Sequence, residues 1–104
     1  MQTMTVLLDD RGGLRYRHYR ISRHAIVRYQ QRISEDCSKL LADLDSAVLF
    51  DIGTAGPRLR KHMQRLTGCG GYPLIHGQTL FLIKPDTRAH HIVTVYTLNQ
   101  ELAA

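Results

Sequence analysis

Three residues spaced four apart carry most of the chemical promise of this chain: His24, Arg28 and Arg32. If residues 23–32 are helical, they form one polar line, with Gln31 beside it. Two arginines on one line repel each other slightly unless an anion lies across them. A guanidinium fork matches phosphate oxygens in a way that an ammonium does not. His24 falls in the first helical turn, where the partial positive charge of the helix end favours neutral imidazole, a competent proton acceptor beside a bound phosphate. Lys84, Thr94 and Tyr96 are candidates to complete a site from the C-terminal part, with Thr94 and Tyr96 on one side of a strand together with Ile92 and Leu98. The same pattern also fits an amphipathic helix with its basic side in water, and Thr and Tyr are strand formers in their own right. His76, His90 and His91 are further acid–base candidates, each equally explained by solvation at a loop or strand edge.

Charge sharpens this picture. The 104 residues carry a formal +5, distributed unevenly. Arg11, Arg15, Arg17, Arg20, Arg23, Arg28 and Arg32 precede Ser34 with no acidic residue among them. Residues 35–56 then reverse to a net −4, and Arg58, Arg60, Lys61 and Arg65 restore +4. Arginine outnumbers lysine eleven to three, which favours phosphate recognition over general solubilisation. Tyr16, Tyr19 and Tyr29 interleave with the first basic cluster, and such rings can stack on unpaired bases. An anionic partner is expected, nucleic acid first. The alternative is a solvated basic face complementing the acidic helix that follows.

The elements that must position these residues can be read from periodicity. Residues 3–8 form a short apolar run ending in the turn signal Asp9-Asp10-Arg11-Gly12-Gly13. Residues 14–20 alternate and read as a second strand, pairing back as a hairpin. Ser22 is placed as an N-cap opening a helix over residues 23–32. Ser34, followed by Glu35 and Asp36, reads as the cap of a second helix bearing Cys37, Leu40, Leu41, Leu44 and Val48 as one apolar stripe. Gly53 to Pro57 breaks the chain, and residues 57–66 are either a short basic helix or a mobile loop before a glycine-rich linker. Residues 72–76, 78–84 and 90–98 are strand candidates. Within the helix, Ala25, Tyr29 and Ile33 offer an apolar stripe able to dock on the sheet. The order predicts one α+β domain over residues 1–104, an N-terminal hairpin and helices packed on one face of a C-terminal antiparallel sheet in two layers.

Composition narrows the classes. Hydrophobic residues make up 43% and charged residues 22%, so a folded core is expected. The longest uncharged stretch, residues 66–83, is interrupted by glycines, Pro73 and His76 and does not read as a membrane span. Residues 1–8 reach Asp9 with no basic n-region or cleavage site, so no secretion signal is expected. Cys37 and Cys69 form no C-x-x-C pair, and two thiols in a reducing cytoplasm are expected to be structural. Adjacent His90 and His91 point to opposite sides of a strand, so no metal and no cofactor are expected.

The stretch Ile21-Ser22-Arg23-His24-Ala25-Ile26-Val27-Arg28-Tyr29-Gln30-Gln31-Arg32-Ile33-Ser34 resembles the S-x-H-A-x-x-R-x-x-x-R-x-I-S pattern that opens a small domain of phage and toxin-associated proteins. That domain is similar to the RelE-like toxins and RegB-like phage endoribonucleases of the barnase–EndoU–colicin–RelE superfamily. Residues 92–96, Ile-Val-Thr-Val-Tyr, resemble the last strand of that family, and residues 80–84 its penultimate strand. The resemblance spans roughly residues 14–98, with the helix pattern its specific part. It implies a helical part packed on a curved sheet and metal-independent cleavage of RNA by 2′-hydroxyl attack. By position it implies a catalytic set of His24, Arg28, Arg32 and Thr94, with Tyr96 and Lys84 more loosely matched. The segment at residues 57–71 departs from the family pattern and leaves the base and acid unassigned.

Taken together, the expectation is a cytoplasmic endoribonuclease, toxin-type or phage-encoded, with catalytic residues His24, Arg28, Arg32, Thr94 and Tyr96. Arg15, Arg17, Arg20, Arg23, Tyr29 and Lys84 are expected to bind RNA. The expected partners are RNA, including ribosome-associated mRNA or tRNA, and a cognate antitoxin or immunity protein, with no membrane. The alternatives are a nucleic-acid-binding module that does not cut, or a phage accessory protein that inhibits a host protein.

Overall fold

The computed structural model describes residues 6–8 and 12–98. Most of the N-terminal turn signal, from Asp9 to Arg11, and the start of the expected first strand lie outside them. Three short strands open the fold: β1 (Val6–Leu8), β2 (Leu14–Tyr16) and β3 (Tyr19–Ile21). The single strand expected over residues 14–20 is instead a hairpin, turned at Arg17 with φ +56°. Alternation alone did not mark that turn, because Arg17 is not a usual left-handed residue.

Helix α1 (Arg23–Arg32) begins where the sequence places it, with the Ser22 side chain accepting from the Ala25 amide at 3.0 Å. Helix α2 (Cys37–Ser46) is capped by Asp36 rather than Ser34. It ends before Val48, which lies in the two-residue edge strand β4 (Val48–Leu49) and is 63% exposed, not part of the helical stripe. A 3₁₀ turn (Ile52–Thr54) leads to helix α3 (Pro57–Gly68), with Pro57 at its first position, where the missing N–H costs nothing. The helix alternative for residues 57–66 is thus the one found. Strands β5 (Tyr72–His76), β6 (Thr79–Pro85) and β7 (His90–Thr97) close the chain.

The sheet order is β1-β2-β3-β7-β6-β5-β4. The class is α+β with helices packed on a sheet, as expected. Two features depart from the two-layer antiparallel picture. First, β3 pairs with β7 in parallel, so the sheet is mixed. Second, the helices divide between its faces. Phe81 and Ile83 of β6 pack with Tyr29, Leu40 and Leu44 beneath α1 and α2. Leu80 and Leu82, pointing the other way, pack with Leu59 and Met63 of α3. An unbroken buried run from Thr79 to Ile83 is what a strand covered on both sides requires. Among the described residues no helix is long and apolar enough to cross a membrane.

A register shift at Leu82/Ile83 decides which way β7 points. Leu82 opposes Thr94 and Ile83 opposes Ile92, so Val93 is an extra, bulged residue. Ile92 and Val95 therefore both face α1 and α2, while Tyr96 and Leu98 pack on the α3 side. Ile92 was expected on the same side as Thr94 and Tyr96. The bulge puts it on the other.

Candidate nucleic-acid interface

Strand β3 pairs with β7 only as far as Ile92, leaving one edge of β7 from Val93 onward without a strand neighbour among the described residues. Unpaired backbone at a sheet edge calls for other partners. Helix α1 supplies them. The Ser22 hydroxyl donates to the Val93 carbonyl at 3.4 Å, and Arg32 Nη1 donates to the Val95 carbonyl at 2.8 Å. Arg32 thus sits at the rim between the two faces. Its guanidinium carbon lies 5.3 Å from the centre of the Tyr96 ring, in cation–π range. The Tyr96 hydroxyl is in turn 3.5 Å from His62 Nε2 of α3, their rings edge to face at 5.4 Å. Alternation places Thr94 on the same face as Tyr96. A cation, a phenol, an imidazole and a threonine from three elements therefore gather at the open edge of β7.

The register also assembles a row that no single segment of the sequence displays. Arg15 of β2 pairs with Arg20 of β3, Arg20 with His91 of β7, and His91 with Lys84 of β6. Their neighbours Leu14, Ile21, Ile83 and Ile92 turn toward the α1–α2 core, so the four basic side chains share the opposite face. At about 4.8 Å per strand the row spans ~14 Å, on the face that bears Thr94 and Tyr96. Like charges facing each other across strands are unfavourable unless anions are present. Asp86 supplies one within the chain, 2.6 Å from His91 Nε2. The Arg88 and Ala89 amides and His91 hold the Asp86 carboxyl down to about 2.

Not every expected residue lies on this surface. His24 is exposed in the first turn of α1, ~12 Å along the helix from Arg32, and makes no hydrogen bond or ion pair among the described residues. Arg28 donates to Gln31 within the helix at 3.1 Å. Of the His24–Arg28–Arg32 line, only Arg32 reaches the Tyr96 group. Arg23 is exposed beside Gly12, and Arg17 is tied to Asp45 at 3.1 Å. Tyr29, expected to contact RNA, is fully buried and donates to Asp43 at 2.7 Å. Burial and that carboxylate raise its pKa well above the tyrosine norm. Tyr16 is likewise buried and donates to Asp45. Neither ring can stack on a base, because the apolar face of the helix and the hairpin both turn inward.

Sequence reading missed two residues. His62 lies exposed on α3 with Arg58 and Arg65, flanking the apolar arc of Leu59, Met63 and Leu66. Its signal is the spacing of four and three, legible only once residues 57–68 are taken as a helix. Asp43 interrupts the apolar arc Leu40-Leu41-Leu44 and is 6% exposed, an acid where a core side chain is expected. Both cysteines are free thiols, and the described residues hold no cluster of three or more metal-ligating side chains. Comparison with family models, curated proteins and solved structures finds no match.

Proposed function

We propose that this protein is an endoribonuclease that cleaves RNA without a metal, by attack of a 2′-hydroxyl on the adjacent phosphodiester. The observation that supports it above others is the meeting of Arg32, Tyr96 and His62 beside Thr94, further along β7 from the point where the basic row crosses that strand at His91. His62 takes the 2′-hydroxyl proton, and the 2′-oxygen bonds to phosphorus. Arg32 spends one N–H on the Val95 carbonyl and offers its other donors to the phosphorane oxygens. The P–O5′ bond breaks, and the Tyr96 hydroxyl protonates the departing oxygen. The products are a 2′,3′-cyclic phosphate and a 5′-hydroxyl. Arg15, Arg20 and Lys84 hold the strand, while His24, Arg23 and Arg28 lie along α1 on the other side of the sheet and take no part in the cleavage step. Toxin-type or phage origin, cytoplasmic residence, a ribosome-associated target and a cognate antitoxin or immunity protein go with this reading.

The test is incubation of the pure protein with RNA in chelator, followed by analysis of fragment ends. Cyclic phosphate ends with wild type, falling about 10²–10⁴-fold with His62→Ala or Tyr96→Phe, are expected. Intact RNA with wild type, or equal cutting by all three proteins, would remove the proposal. The separation of His24 from the Tyr96 group favours a second reading, a module that binds RNA and leaves it whole. Its mark is affinity that falls steeply with salt and no fragments at any protein concentration.

A further inference from the structure

A cleft lies on the other face of the sheet, and Arg32 belongs both to it and to the Tyr96 group. It measures about 550 Å³, within the usual range for small-ligand sites, and its walls include Arg32, Lys39, Asp43, His76, Gln78 and Thr97. Its floor is the buried Asp43 carboxylate. One oxygen, Oδ2, accepts from the Tyr29 hydroxyl at 2.7 Å and from Lys39 Nζ at 3.0 Å. Among the described residues the other, Oδ1, has His76 Nε2 at 3.7 Å, beyond hydrogen-bond length. That oxygen is not a buried unpartnered atom, and because Asp43 lines the cleft it is open to accept from a ligand there. Lys39, half exposed beside it, has two N–H groups left to give.

We infer that this cleft is a base-recognition pocket for a guanine nucleotide of the RNA, an inference that rests on the RNA-cleaving reading above for its substrate class. Guanine places two adjacent N–H donors beside a carbonyl on its Watson–Crick edge, and no other standard base does. Those donors meet Asp43 Oδ1 while the carbonyl accepts from Lys39 Nζ, and the half-exposed His76 ring offers a surface for the base to stack on. Arg32 makes the connection. It lines this cleft, yet its guanidinium lies over Tyr96 at the rim, so a nucleotide whose phosphate meets Arg32 can turn its base toward α2.

The experiment is binding of the four ribonucleoside 5′-monophosphates to the intact protein, with amide resonances followed by NMR and RNA cleavage assayed separately. Guanosine monophosphate is expected to bind about tenfold or more tightly than the other three, to shift the Gly77 and Gln78 amides, and to lose its advantage in Asp43→Asn. His76→Ala, at an exposed position, should weaken all four nucleotides, and it supplies the mutational test should Asp43→Asn fail to fold. Equal binding of all four, or shifts confined to residues away from the cleft, would overturn the pocket. A guanosine-selective cleft on a protein that leaves RNA intact keeps the pocket and removes the nuclease. Cleavage by a protein with no nucleotide preference does the reverse.

Discussion

Arg32 serves the fold and the ligand at once, and this shapes what its substitution should do. Arg32→Lys keeps the charge but loses the fork that serves the Val95 carbonyl and a phosphate together. A stability loss of about 0.5–1.5 kcal/mol in urea melts is expected, with a larger proportional loss of RNA binding. Tyr29 and Asp43 show the same coupling on the buried side. Tyr29→Phe leaves the carboxylate short of a donor and should cost about 1–3 kcal/mol. Because the folded protein raises the Tyr29 pKa, its contribution is fully present below the ordinary tyrosine value near 10 and is lost as pH rises beyond it. Urea melts at rising pH should therefore weaken more steeply for wild type than for Tyr29→Phe. Asp86 works in the opposite direction. Held down to about 2, it stabilises above the ordinary carboxylate range near 4, and that support fades as pH falls from 4 toward 2. NMR titration of its carboxyl carbon should give a midpoint near 2 in wild type and nearer the ordinary value in His91→Ala.

At the scale of elements, local chemistry explains which parts the sequence made legible. The Ser22 cap and the regular apolar spacing behind it located α1 to the residue, because both signals are short-range. Val48 continues the apolar period of α2, yet the Ala47 cap residue is extended and the chain turns into β4. Periodicity cannot report where a helix stops when no glycine or proline ends it. The bulge at Val93 was equally invisible, since it exists only in the register between β6 and β7. His62 followed α3 into obscurity and became readable with it. The turn after α3 yields a prediction of its own. A Cβ added to Gly71 would meet Leu66 Cδ1 at 2.6 Å and the Ile83 carbonyl oxygen at 2.8 Å, and that backbone oxygen belongs to β6, a strand buried on both faces. Gly71→Ala should cost about 1–3 kcal/mol in thermal or urea unfolding. Met63→Ala, in the α3 core, should cost about 2–5 kcal/mol and also reduce any activity that depends on His62.

On the scale of the whole molecule, covering both sheet faces leaves two accessible regions that meet at one rim. The α3 side carries the basic row, the α1–α2 side carries the Asp43 cleft, and Arg32 joins them where β7 runs past β3. Charge counted along the sequence pointed to an anionic partner, but strand pairing, not sequence proximity, brings Arg15, Arg20 and Lys84 into one line. Replacing Arg15 or Lys84 by Ala should weaken RNA binding to every sequence alike and lower the slope of log affinity against log salt by about one each. The most direct measurement is the single-turnover cleavage rate of RNA in chelator for wild type, His62→Ala and Tyr96→Phe, each confirmed folded by circular dichroism. Cyclic-phosphate fragments from wild type and a rate at least a hundredfold lower in both variants are the predicted result. Folded variants that cut as fast as wild type, or a wild type that never cuts, would contradict it.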